Sequence, residues 1–247
     1  MKKFLAICLT ALMSTGTMTA IADNHANSGP LFYGQSIGFV TSDAPAVLAA
    51  MDKWRSTKTG QAAPNTVVLL QNIVNGDYRS THSVNIFYRN GAAMDASEKL
   101  LRGNKGWAEF QRTLGSLVEF EWENTYAILR AKVNEGDVSN TNPVSIVYGI
   151  TVTDSAAFML AFNKLWNSAA IQEFPGAVYL GESIAAGTMP GTHFVTFVAD
   201  SRGKLTEAMM AMKSSKEMAS YMEIASGARA LEAINMFFEL KRWANGG

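Results

Sequence analysis

Two histidines in matching settings are the first residues that could carry chemistry. His82 lies in Ser80-Thr81-His82-Ser83-Val84, and His193 in Gly191-Thr192-His193-Phe194-Val195, 111 residues further on. A neutral imidazole can serve as a general base or ligate a metal or a haem iron. It can equally be a buried group that hydrogen-bonds a neighbouring element and fixes geometry, and a dipeptide present in both places suits that role. Two histidines alone make a poor metal site. A catalytic zinc asks for three protein ligands, and no HxH or HxxxH spacing occurs. Haem would need only one of them, but no attachment motif accompanies either. The residues therefore call for no metal and no cofactor.

Asn124 and Asn235 are also 111 residues apart, inside segments that otherwise read as strands, where asparagine is disfavoured. Such an amide either orients a substrate carbonyl or dioxygen, or satisfies backbone groups at a bulge. Trp122 and Tyr126 share a strand side with Asn124. Together with Asn235 and Phe237 they form the expected wall of an apolar ligand pocket, although aromatics at such spacing are ordinarily core. Glu121 and Glu232, on the opposite strand side, are either paired carboxylates or a solvated edge. No Gly-rich phosphate loop, GxSxG elbow or Ser/His/Asp spacing is present.

What positions these residues is a repeat. Displacing the chain by 111 without a gap superposes Gly38 on Gly149, Asp43 on Asp154, Pro64 on Pro175, Gly76 on Gly187, Glu121 on Glu232 and Leu129 on Leu240. In the first copy Gln35 to Thr41 reads as a strand. Ser42-Asp43-Ala44-Pro45 then starts a helix that runs to about Arg55. Ser56 to Pro64 reads as a polar connection. Thr66 to Val74 and Thr81 to Tyr88 are strands around the hairpin signal Asn75-Gly76. Helical stretches from Asp95 to Leu101 and from Gly106 to Leu117 break at Gly103, and Phe120 to Ala131 is a closing strand. The order β-α-β-β-α-β is the ferredoxin-like unit. The second copy replays it between Val144 and Trp243. Strands such as Ser83 to Tyr88 carry apolar side chains on both faces, the pattern of a sheet buried on both sides.

The ends and composition set the setting. Lys2 and Lys3, an apolar run from Phe4 to Met13 and Ala20-Ile21-Ala22 form a signal-peptide pattern, with cleavage expected after Ala22. The expected organisation is residues 1–22 signal peptide, 23–33 flexible leader (holding His25), 34–133 first repeat, 134–143 linker and 144–243 second repeat. Cys8, the one cysteine, falls in the signal, so the mature chain has no thiol chemistry and no disulfide. Loss of Lys2 and Lys3 leaves 19 basic against 21 acidic residues, which argues against a nucleic-acid partner. No stretch approaches the roughly 20 apolar residues of a membrane span. A periplasmic or secreted location is expected.

The Thr-His-x-Val strand after a hairpin, the broken second helix and the aromatic closing strand together resemble the dimeric α+β barrel superfamily. Within it, the resemblance is to stress-responsive barrel and antibiotic-biosynthesis monooxygenase-like domains, in two tandem copies. The second repeat, Gly191 to Val195 through Asp200-Ser201, fits best, while the first has Arg89-Asn90 at the latter place. The resemblance implies cofactor-free oxygenation, cyclisation, haem-based chemistry or plain ligand binding in a barrel. The His-Pro-x-His stretch of the cyclase-like members has no counterpart, because 102–107 and 212–217 hold no histidine. The expected fold is α+β: tandem ferredoxin-like (βαββαβ) repeats packed sheet to sheet as an intramolecular dimeric α+β barrel, either a monomeric pseudo-dimer or a homodimer. The expected function is binding of a small apolar molecule in or beside the barrel. One alternative is a monooxygenase-like enzyme using His82 or His193 as the polar catalytic group; another is a protein-interaction module with no ligand.

Overall fold

A computed structural model describes residues 29–134 and 143–244. The proposed signal segment, most of the leader with His25, and nearly all of the linker lie outside the described residues. In chain order the elements are β1 (Phe32–Val40), α1 (Ala44–Arg55), α2 (Lys58–Ala62), β2 (Thr66–Val74), β3 (His82–Tyr88), α3 (Gly91–Leu101), α4 (Lys105–Gly115) and β4 (Glu119–Val133). Then come β5 (Val144–Val152), α5 (Ser155–Trp166), α6 (Ala169–Gln172), β6 (Ala177–Ala185), β7 (His193–Ala199), α7 (Arg202–Lys213), α8 (Lys216–Ala225) and β8 (Arg229–Trp243).

Side-chain caps start the major helices, at Asp43 as the sequence suggests. The Asp43 and Asp154 carboxylates accept from the backbone N–H of Ala46 and Ala157, each at 3.0 Å. Asn90, Asn104, Ser201 and Ser215 cap α3, α4, α7 and α8 in the same way. The polar connection from Ser56 to Pro64 contains the short helix α2, which starts at Thr57, whose hydroxyl accepts from Gly60 N–H. The helices from Asp95 and Gly106 begin earlier, at Gly91 and Lys105.

All eight strands run antiparallel to their neighbours in one closed barrel, in the order β1-β3-β2-β8-β5-β7-β6-β4. The expected face-to-face pairing of two sheets is realised as edge-to-edge closure. β2 is hydrogen-bonded to β8 and β4 to β6, so the two four-stranded sheets become one cylinder. An eight-stranded barrel is just wide enough for side chains to fill. The helices pack outside it. On one side Val47 and Met51 of α1 bury Phe39 and Leu69, and on the other Phe158 and Phe162 of α5 bury Val178, Leu180 and Ile150. Inside the barrel Val68, Leu70 and Phe237 form a separate cluster joined by Phe87 and Val147. Asp52 of α1 links the two halves, accepting from Trp243 Nε1 at 2.8 Å and pairing with Lys241 at 2.6 Å.

The antiparallel pairing puts both long hairpins, 75–81 and 186–192, at the same end of the cylinder. β4 and β8 begin there too, and a bulge beside Gly38 and another beside Gly149 turn each strand start outward. Residues 119–124 of β4 pair only with β1, and residues 229–235 of β8 only with β5.

Candidate functional site

The register sorts every candidate residue to one face. Gly38 pairs with Trp122, Ser36 with Asn124 and Gly34 with Tyr126, and all six point into the lumen. Val147, a lumen residue, pairs with Asn235, and Ser145 pairs with Phe237. Trp122, Asn124, Tyr126, Asn235 and Phe237 therefore all lie on the inner face. β4 and β8 are four strands apart around a ring of eight, so Asn124 and Asn235 occupy opposite walls.

His82 and His193 lie on the outer face. His82 is 8% exposed and stacks on Phe39, with ring centroids 6.1 Å apart, under α1. His193 packs beside Phe158 of α5 at 5.9 Å. The Nδ1 of each sits 2.9 Å from the hydroxyl of the preceding threonine. Burial lowers both pKa values, and Glu182 opposes the shift only at His193, so both rings are neutral at physiological pH. Neither imidazole reaches the lumen, and an iron bound to either would have to displace a packed helix. The residues present do not fit a histidine-ligated haem. Among the described residues no three His, Cys, Asp or Glu side chains cluster.

The lumen itself is polar along its middle. The Tyr126 hydroxyl hydrogen-bonds the Ser36 side chain, which in turn donates to Asn85 Oδ1. Burial pushes the Tyr126 hydroxyl far above its ordinary range, with Ser36 pulling the other way, so it stays a proton donor. Asn124 Nδ2 donates to Ser183 Oγ at 3.2 Å. At the end away from the hairpins, Arg242 forks onto Glu239 at 2.9 and 2.5 Å. Three buried polar atoms near the hairpins have no partner: Asn124 Oδ1, Asn235 Oδ1 and the Tyr78 hydroxyl. Leaving such a group unpaired costs about 1–3 kcal/mol, so three at one end of a barrel ask for an explanation. Two of them meet at the first hairpin, and Asn124 stands on the opposite wall from Asn235. Tyr78 packs on Trp122 at 5.9 Å, and a Cβ built on Gly76 of the same hairpin would lie 3.8 Å from Asn235 Oδ1.

Sequence reasoning missed the residues that shape the space. A Cβ on Gly38 would sit 2.0 Å from the Trp122 indole, and one on Gly34 would sit 2.2 Å from the Tyr126 ring, so these aromatics fill their side of the lumen. The equivalent of Trp122 on the far side is Ala233, and a Cβ on Gly149 would find only Ala233 atoms, at 3.8 Å or more. On the inner face Gly34 and Gly38 are buried, whereas Ser36, Asn85 and Phe87 of the first half and Ser145, Val147, Gly149, Thr196 and Tyr179 of the second are half-buried. The signal lay in the mismatches of the 111-residue displacement. A surface groove of about 540 Å³ lies instead outside the barrel between α3 and α4, against Arg102, Lys105 and Trp107. It holds none of the orphaned polar atoms.

The chain matches no family model and no curated protein. It does match solved structures over nearly its full length. One is a proposed monooxygenase from Fusobacterium nucleatum, 15% identical, covering 90% of this chain and 97% of that one, with a TM-score of 0.58. A second, from Lactobacillus acidophilus, is also a proposed monooxygenase, at 14% identity, 89% and 98% coverage and a TM-score of 0.56. A third is a single-residue variant of chlorite dismutase from Candidatus Nitrospira defluvii, at 12%, 86% and 92%, with a TM-score of 0.51. At such identities the likeness is one of fold. The chain shares with them a mixed α+β fold, with its antiparallel sheet closed into an eight-stranded barrel.

Proposed function

We propose that the chain is an exported protein of two ferredoxin-like units fused in tandem, each supplying half of one barrel. In this reading it binds a small, mostly apolar molecule inside that barrel. The carrying observation is the half-accessible inner face of the second half beside the unpaired carbonyl of Asn235. A lumen that merely needed filling would carry an aromatic at Ala233, as it does at Trp122. The same element order and strand order in both halves support the tandem arrangement, and the Lys2 to Ala22 pattern supports export. The test is native mass spectrometry of protein purified from the envelope of its own cells. The expected result is a chain beginning at Asp23 with an extra mass on the order of a few hundred daltons. A bare chain that also shows no thermal shift with any apolar small molecule would sink the binding reading.

A second reading, cofactor-free oxygenation of the bound molecule, draws on the proposed monooxygenases of the same fold. The lumen supplies Tyr126, Asn124 and Asn235 to orient a substrate. It supplies no imidazole, so a proton would have to leave the substrate without His82 or His193 as base.

A further inference from the structure

The unequal halves of the lumen bear on the chemistry of the ligand as well as on its presence, provided that the lumen is the binding site proposed for it. On the first side, Trp122 and Tyr126 lie directly on Gly38 and Gly34, and Asn124 already donates to Ser183. On the second side the floor of Gly149, Ala233 and Val147 bears no ring of its own, and the ring opposite Gly149, Phe194, lies over Gly181 against Tyr126. Asn235 stands over that floor, 5% exposed, with an Oδ1 that accepts nothing. The charged residues on the lumen face of the described barrel are Glu239 and Arg242, forked onto each other at the far end. Arg242 reaches Tyr179 of the second half through its field, but its charge is already matched by Glu239. An anion there would lose its water and meet carbonyl oxygens.

We infer that the ligand is an uncharged molecule seated on Gly149 and Ala233 in the second half, donating a hydrogen bond from an O–H or N–H to Asn235 Oδ1. A buried acceptor without a donor gains most from a group that brings one, and a flat apolar body replaces the missing indole. The site selects against carboxylates and other small anions, chlorite included, because its one lumen cation, Arg242, is already committed to Glu239.

The test uses three probes of one shape on the full mature chain, with binding measured by calorimetry or tryptophan fluorescence at neutral pH. These are indole, 1-methylindole, which lacks the donor, and indole-3-carboxylate, which carries a charge. Indole is expected to bind at least about tenfold more tightly than 1-methylindole, with no measurable binding of the carboxylate. Asn235→Leu should bring indole and 1-methylindole to within about twofold of each other. Ala233→Trp, or Gly149→Val if the first does not fold, should abolish binding of both. If the carboxylate binds as well as indole, or Asn235→Leu leaves the ratio unchanged, the inference fails. The lumen reading survives that outcome if Ala233→Trp still abolishes binding. If no probe binds the wild-type chain, or Ala233→Trp changes nothing, both fail.

Discussion

Two hairpins close over the same end of the barrel, and only one is tied down. In the first, the Glu121 carboxylate accepts from the backbone N–H of Arg79 and Ser80 at 2.7 and 2.5 Å. Trp122 Nε1 donates to Ser80 Oγ, the Asn72 and Asn75 amides reach the Ser80 carbonyl, and Arg79 pairs with Glu119. In the second, the equivalents are Pro190 for Arg79, Gly191 for Ser80, Ala186 for Asn75, Ser183 for Asn72 and Ala233 for Trp122. Its hydrogen bonds are those of the backbone and of Thr192, and Glu232 is exposed. The half whose lumen is filled is thus the half whose hairpin is pinned. Each hairpin reaches the other half: Gly76 of the first lies by Asn235, and Gly187 of the second by the Glu123 carbonyl.

Breaking the filled side should cost most. Trp122→Ala removes a buried indole and its bond to Ser80, and should lower the unfolding free energy by about 3–5 kcal/mol in urea titrations. Gly38→Ala, which drives a methyl into that indole, should cost about 1–3 kcal/mol, while Gly149→Ala stays within about 1 kcal/mol. Equal costs at the two glycines would show that the second half is filled as well. Next comes the hairpin pair. Glu121→Gln should cost about 1.5–3 kcal/mol and Glu232→Gln nothing measurable, with amides of 186–192 exchanging with solvent faster than those of 75–81.

The smallest effect is on pH. His82 and His193 have folded pKa values lowered by burial, so the unfolded chain takes up their protons first. Their stability contribution is whole above about pH 6.5 and falls as the pH drops below that. Burial works to raise the Glu121 carboxyl, but the N–H groups of Arg79 and Ser80 hold it below its ordinary value. It therefore adds a second loss below about pH 4.5. His82→Phe should flatten the thermal midpoint between pH 7 and 5.5 relative to the wild type. A midpoint that rises on acidification would show the sign to be wrong.

The strand and helix periods, the caps at Asp43 and Asp154 and the hairpin signal at Asn75-Gly76 were legible locally, because each depends on neighbours in sequence. The strand side of Asn124, Trp122 and Tyr126 was legible too, since side chains alternate along a strand. Which side faces the lumen was not, because that depends on how β4 closes onto β6 and β2 onto β8. The pairing of Gly38 with Trp122 also depends on register across strands 84 residues apart, and the bulge that sets it has no signature of its own. Looking for matches in the repeat drew attention to Thr-His, which packs against helices. The differences at Ala233, Pro190 and Gly191 mark where the two halves part ways.

The two seams have a consequence for assembly. β2–β8 and β4–β6 are backbone ladders between one half and the other, and the contacts from Asp52 to Lys241 and Trp243 cross the same boundary. None of these bonds distinguishes a half on its own chain from the same half on another. Covalent connection favours self-closure only through an effective concentration, on the order of millimolar for a short tether. Refolding near that concentration should therefore trap exchanged dimers in which each barrel is built from two chains, and dilution alone should not release them quickly.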